Sequence, residues 1–519
     1  MNERALTVIA AAAIGLAGFS CGGNGGTGTG GGGSPGTGGA TASSSGSGGS
    51  SSSSAASTSS SGTGGLMSST YNPLWIPPLL TGTTFDLTLS ASTRQLIDGP
   101  ETIVYGYNGT GFWGPTLVMN KGDVVQMHVK NDLVDETTTH WHGFHIPAAA
   151  DGGPHQVIAP GTTWSPSFEV KNKAATYWYH PHLHHMTQMQ LTYGAGGLMI
   201  VKVPEEEALP LPRTYGVDDI PVVLTSRRFM DDNQFDISSA YGDYMLTNGV
   251  MRAKVDLPAQ VVRLRILNVE TERAYNLGFG DDRTFYVIAT DGGLVNAPVP
   301  VTRVKLFVGE RVEILVDLSK DAAGSSLDLK AYNGGLPFGF PGGEPQASGM
   351  FGSLLNNTTF DVLHIDVAAP TAGAITGVPA TLANNTYWTD ADVTNSRTLH
   401  ITDMGPGTPF TFDGELFDET VINQTVALNA VEKWTISNGM TFSHAFHIHD
   451  VQFKIVSRSS GVIADYEQGW KDTVSVPINE SVSFIARFDD FASSTDPYMY
   501  HCHMSNHEDE GTMGQFLVK

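Results

Sequence analysis

The chain has 519 residues and a formal charge of −24, from 28 basic and 52 acidic side chains. That length is enough for about three domains of ~100–200 residues each. The acidic balance argues against nucleic acid as a partner and against polybasic attachment to a membrane, because both need a basic face. Residues 1–20 read as a secretion signal. Arg4 is followed by an apolar run from Ala5 to Phe19, too short to span a bilayer comfortably. The run closes on Ser20 and Cys21. The only other cysteine is Cys502, and neither looks like half of a structural disulfide.

Residues 21–68 are almost wholly Gly, Ser, Thr and Ala. Such a segment cannot bury enough apolar surface to fold. As a flexible coil of about 45 residues it would reach roughly 35–40 Å root-mean-square, enough to hold a folded body clear of a membrane. Leu16 to Cys21 resembles a bacterial lipoprotein signal, in which the cysteine carries lipid, although Gly18 stands where leucine is usual. The resemblance implies an exported protein, periplasmic or on the outer envelope, tethered at Cys21. The alternative is an ordinary signal peptide with an incidental cysteine.

Folded sequence begins near Tyr71, and its signals are β. Val262, Leu264 and Ile266 alternate with Arg263 and Arg265, the period of a half-buried strand. Short apolar runs recur between Gly, Pro, Asn and Asp turns. One pattern occurs three times. Gly114-Pro115-Thr116 leads through Gly122-Asp123-Val124-Val125 to Asn131, Asn248-Gly249-Val250 through Val261–Leu264 to Asn268, and Asn423-Gln424-Thr425 through Val431–Trp434 to Asn438. Each copy is strand, turn, then a strand closing on Asn. The expected fold is therefore all-β, with three tandem β-sandwich domains. Pro- and Ala-rich stretches at Val203–Pro212 and Ala368–Pro379 place them at residues 69–205, 206–370 and 371–519.

Histidines cluster at the two ends of this folded region. The first domain holds His140-Trp141-His142 and His180-Pro181-His182. The third holds His444-Ala445-Phe446-His447-Ile448-His449 and His501-Cys502-His503, with His507 four residues on. In an extended chain each His-x-His pair puts two imidazoles on one face. His501 and His503 then look one way and Cys502 the other, so one stretch feeds two metal sites. Four pairs supply eight imidazoles to a cluster wedged between the first and third domains. His444, Cys502 and His507 are left over as a two-histidine, one-thiolate set, the donors of a blue copper centre. Zinc is the rival ion, but it carries no electrons and seldom needs one cysteine locked between two histidines.

With these motifs in order, residues from about 70 to 519 resemble the multicopper oxidases. The nearest group is the bacterial cuprous oxidases, spore-coat-type laccases and bilirubin oxidases. His140–Pro154 (HWHGFHIPAAADGGP) and Gly469–Val474 (GWKDTV) match that group beyond the ligands. The resemblance implies cupredoxin-like Greek-key domains and four copper ions. Type-1 copper would sit on His444, Cys502 and His507, and type-2 on His140 and His447. The type-3 pair would use His142, His180 and His503 on one ion, and His182, His449 and His501 on the other. Asp151 and Glu508 resemble the two carboxylates that deliver protons.

Three departures stand out. Ala445 and Asp450 replace the usual proline and glycine of the third motif, and only local loop changes are expected from them. Thr512 occupies the place of an axial methionine, with Met513 one residue further. Either the axial site is open or the loop shifts to bring Met513 in. The methionine-rich insert of the cuprous oxidases is absent; His184, His185, Met186 and Met189 form the densest alternative, with Met440 four residues before His444. The implied activity is laccase-like. Four one-electron oxidations of phenols or similar donors, docking near His444, would be coupled to reduction of dioxygen to water. The alternative is an envelope cuprous oxidase. A non-catalytic envelope protein of the same fold would typically have lost the ligands.

Overall fold

The structure, a computed structural model, describes residues 70–346, 349–405 and 407–519. The signal, Cys21 and the tether lie outside these residues. Among the described residues strands dominate, and they form six sheets that close on three apolar cores. The first core lies between the sheet containing Thr84–Arg94 and Val124–Asn131 and the sheet containing β1 (His140–His142), β2 (Ala175–His180) and Gly197–Lys202. A short helix, α1 (Thr187–Tyr193), follows β2. The second core lies between a seven-stranded sheet, which includes Val261–Asn268 and β3 (Arg311–Asp317), and a six-stranded one. The third is enclosed by two five-stranded sheets. One of them carries β4 (His444–Ile448), β5 (Thr473–Val476), β6 (Tyr498–Cys502) and β7 (Met513–Val518), with α2 (Ser505–Asp509) between the last two strands.

The repeated asparagine has a physical cause. Asn131, Asn268 and Asn438 each end a strand and are buried. Each side-chain oxygen accepts the amide two residues on: Leu133 at 2.9 Å, Glu270 at 3.1 Å and Met440 at 2.9 Å. Each side-chain NH₂ donates to carbonyls across the turn, such as Ile158, Leu306 and Val476. The asparagine thus replaces ladder bonds lost where the strand stops, which a buried turn requires. In the first and third sandwiches the chain then runs into β1 and β4, which carry histidines. In the second it runs into Tyr275–Phe279, which has none.

The expectation for residues 261–268 needs correction, because every residue of that strand is buried rather than every second one. Val262, Leu264 and Ile266 enter the second core. Arg263 and Arg265 face the first sandwich instead. Arg265 reaches Asp219 at 2.7 and 2.9 Å, Glu313 at 2.9 Å and Thr176 of β2 at 3.0 Å. Arg263 pairs with Glu206 and Glu313. Burial alone would raise the Glu313 carboxyl, but the two guanidiniums bring it down to about 2. Charges can be buried here because each has its partner.

Candidate metal centre

Strand pairing brings the motifs together. On antiparallel β1 and β2, His140 lies opposite His180. On β4 and β6, His447 lies opposite His501 and Phe446 opposite Cys502. The second histidine of three of the pairs (His182, His449, His503) lies just beyond its strand end. The facing relation expected of an extended His-x-His is nevertheless kept, and all eight imidazoles are buried. Donor atoms converge in the groups His182/His449/His501, His142/His180/His503 and His140/His142/His447. Nε2 of His449 is 3.2 Å from Nε2 of His182 and 3.4 Å from Nε2 of His501. Nδ1 of His142 is 3.1 Å from Nε2 of His503.

Hydrogen bonds behind the rings aim these nitrogens. Nδ1 of His140, His180 and His447 donates to the carbonyls of Asp151, Pro181 and Asp472 at 2.9, 2.8 and 2.8 Å. His449 Nδ1 donates to Asp151 Oδ2 at 2.7 Å. Glu508 places Oε1 3.0 Å from His182 Nδ1 and Oε2 3.2 Å from His501 Nδ1. Partners of this kind set the tautomer and leave the inward nitrogen as a lone pair. Nε2 of His140, His180 and His447 is buried without any partner. Burial first, then repulsion among neighbouring rings, keeps His142, His180, His447, His449 and His503 well below the usual imidazole range. Neutral, aimed and unpartnered imidazoles suit a transition-metal ion such as copper.

The second site is on the other face of β6. Cys502 Sγ is 3.5 Å from Nδ1 of His444 and 3.5 Å from Nδ1 of His507. Val308 and Met504 pack against the cysteine, and the ring of Phe410 lies 4.6 Å from His444 and 4.7 Å from His507. Burial pushes the thiol up to about 12 and His507 down to about 3. His444, near which donors are expected to dock, presents no exposed edge. Phe410 and Phe442 flank that imidazole, which is fully buried, and it is His507 that keeps 3% exposure. Met513 packs with Phe417 and Met499, not with Cys502. Thr512 directs its hydroxyl to the Phe410 carbonyl at 2.8 Å.

Asp450 does more than alter a loop. Its φ of +72° is the left-handed geometry that suits the usual glycine. Its buried carboxylate accepts from His145 Nδ1 at 2.7 Å. His184 and His185 stack at 3.6 Å, and His184 lies 5.2 Å from Phe417. They belong to none of the convergent donor groups.

Multicopper oxidase domains match at residues 88–206, 241–325 and 390–519. The multicopper oxidase Mco of Staphylococcus aureus is 31% identical over 424 residues, 80% of this chain and 83% of its own. This chain belongs to the multicopper oxidase family. It is accordingly a copper-dependent oxidoreductase with oxygen as acceptor, built on cupredoxin-like sandwiches. The cell division protein FtsP of Escherichia coli K12 is also similar, 30% identical over 456 residues, 86% of this chain and 92% of its own. Among solved structures, a laccase-like multicopper oxidase CueO from a lignin-degrading Ochrobactrum, with oxidase activity towards lignin model compounds, is 31% identical at a TM-score of 0.76. The alignment covers 86% of this chain and all of that one. A metallo-oxidase from Campylobacter jejuni is 25% identical at a TM-score of 0.73, covering 86% and 95%.

Sequence reasoning missed Asp472, Arg311 and Asp291. Asp472 lies in the quoted GWKDTV stretch, so a signal was present, but its role was not legible there. Arg311 and Asp291 come from the middle sandwich, where no histidine motif drew attention.

Proposed function

We propose that this multicopper oxidase is laccase-like, coupling four one-electron oxidations of phenolic or similar donors to reduction of dioxygen to water. The observation that carries the reading is Cys502. It meets His444 and His507 on one face of β6, while its chain neighbours His501 and His503 serve the cluster on the other. A single segment thus reaches both sites. In this reading His444, Cys502 and His507 hold one copper, His140 and His447 the type-2 ion, and the two remaining trios the type-3 pair, four ions in all. Copper bound there would supply one-electron chemistry by cycling between its +1 and +2 states.

The rest falls to the chain's own groups. Phe410 and Phe442 keep water from the thiolate site, and a donor would approach His507, the less covered imidazole. Asp151 Oδ1 is buried and has no hydrogen-bond partner, which fits a carboxylate that passes protons to the cluster. Glu508 is the second such carboxylate and also holds two rings. The domain limits near 205 and 370, export by residues 1–20 and an envelope tether at Cys21 complete the proposal.

The second reading, a cuprous oxidase of the envelope, draws on the metallo-oxidase neighbour. Steady-state turnover with a bulky phenol, a bilirubin-like donor and Cu(I) separates the two. The phenol is expected to give the highest kcat/KM, and turnover confined to Cu(I) would overturn the laccase reading. A purely structural envelope role is disfavoured because every donor group is present and buried.

The axial position gives a further prediction. With Thr512 bound to the Phe410 carbonyl, no thioether faces Cys502 from β7. Thr512→Met should lower the midpoint potential of the blue site, because a weak axial sulfur stabilises the oxidised ion. A midpoint equal to the parent's would show that residue 512 is not axial.

A further inference from the structure

The middle sandwich supplies no histidine to either site, yet one of its side chains meets both outer sandwiches at the cluster. Arg311 of β3 is fully buried. Its Nη1 and Nη2 donate to Oδ1 and Oδ2 of Asp472 at 2.7 and 2.6 Å. Nε donates to the Thr176 carbonyl of β2 at 3.2 Å. The remaining donors reach the carbonyls of Gly309 at 3.1 Å and Asp291 at 2.9 Å. A guanidinium has five N–H donors, and here all five are used, on the first sandwich (Thr176), the middle one (Gly309, Asp291) and the third (Asp472).

What Arg311 holds in place is a histidine of unusual orientation. Asp472 Oδ1 lies 3.1 Å from His142 Nε2. The six other cluster rings described above as held from behind are held at Nδ1, whereas His142 is held at Nε2 and turns Nδ1 inward to His503. A carboxylate only accepts, so Nε2 must carry the hydrogen, and Nδ1 keeps the lone pair. Asp472 could rotate if it stood alone. Thr473 Oγ1 also donates to Oδ1 at 3.0 Å, but only the planar two-bond fork from Arg311 engages both carboxylate oxygens at once. Gly309, two residues before Arg311, leaves room for the partner ring: a Cβ there would lie 2.8 Å from His503. The same middle segment therefore borders both rings of the His142–His503 pair, holding one through Asp472 and making space for the other.

The geometry points to Arg311 as a positioning residue. Through Asp472 it sets the tautomer and direction of His142, and so governs metal occupancy of the His142/His180/His503 group while leaving the Cys502 site untouched. The inference rests on the copper assignment proposed above. Its test compares copper per chain with the intensity of the blue band in one sample, before and after challenge with a chelator. Arg311→Leu and Asp472→Asn should keep the blue band and lose cluster copper 10- to 100-fold more readily than the parent, the range found when a metal ligand loses its supporting partner. Arg311→Lys keeps the charge but not the fork, and should fall between them and the parent. If Arg311→Leu fails to fold, the isosteric Asp472→Asn and the charge-keeping Arg311→Lys still decide. A general loss of packing would lower blue band and cluster copper together, and that result, or full retention of both, overturns the inference. A parent protein that takes up no copper would instead overturn the assignment on which it rests.

Discussion

Cys502→Ser should bleach the blue colour completely, abolish turnover and leave the chain one metal ion short. The expectation follows from where the thiol stands. Its sulfur is 3.5 Å from each of two imidazole nitrogens, in a pocket closed by Val308, Met504 and Phe410. A serine hydroxyl fits that space and could bond to either ring, so the strand should survive. What it cannot supply is a soft thiolate, on which both the colour and the affinity depend. A second readout is independent of colour. Burial raises the Cys502 thiol to about 12, so in the metal-free protein it is protonated at neutral pH. Metal binding must therefore expel that proton. Titrating copper into metal-free protein in weak buffer should release one proton per chain at the blue site, and none there in the variant. A Cys502→Ser protein that stays blue would refute the assignment, and an unchanged proton count would show that the sulfur is not the ligand.

The contrast between this site and its surroundings explains what could be read from the sequence. A strand's two-residue period is local, so the His-x-His pairs and the outward turn of Cys502 follow from spacing alone. The trios do form, even though His182, His449 and His503 sit beyond their strand ends. The three closing asparagines were visible as a repeat, although their hydrogen bonds were not. What stayed hidden depends on partners distant in sequence. Arg263 and Arg265 alternate with apolar residues as exposed charges would, and their burial is allowed only by Glu206, Asp219 and Glu313. Asp472 and Arg311 lie 161 residues apart, and no local pattern joins them. The axial position is not legible in the sequence because side-chain direction at the start of β7 depends on how Thr512 and Met513 pack. At Asp450 the sequence shows only a loop change, because the partner of its buried carboxylate, His145, is 305 residues away.

The two carboxylates beside the cluster should fail in different ways when each is replaced by its amide. Glu508→Gln is the severe case. Both oxygens of Glu508 face an imidazole Nδ1, on His182 at 3.0 Å and on His501 at 3.2 Å, and both nitrogens must donate if their Nε2 atoms are to stay bare. Burial would raise this carboxyl, but the two histidines hold it well below its usual range, so it stays ionised to low pH and faces both rings as an anion. A carboxamide has one acceptor and one donor end. Its donor end must then face one of the two Nδ1–H groups; His501 Nδ1 also bonds the Cys502 carbonyl at 3.1 Å, so the clash displaces a ring and spoils the aim of its Nε2 atom. Copper retention should fall about 10- to 100-fold, and turnover with it. Asp151→Asn need not do this. Oδ2 of Asp151 accepts from His449 at 2.7 Å, whereas Oδ1 lies 3.4 Å from His140 Nδ1 and takes no hydrogen bond; an asparagine oxygen can keep the His449 bond while its NH₂ occupies the Oδ1 position. Metal content and blue band should stay at parental levels, while turnover drops by about 10²–10⁴, the span of a lost acid–base group. Copper analysis beside steady-state rates separates the outcomes. If Glu508→Gln keeps its full complement of copper, the carboxylate does not hold those rings. If Asp151→Asn turns over as the parent does, its free oxygen carries no protons.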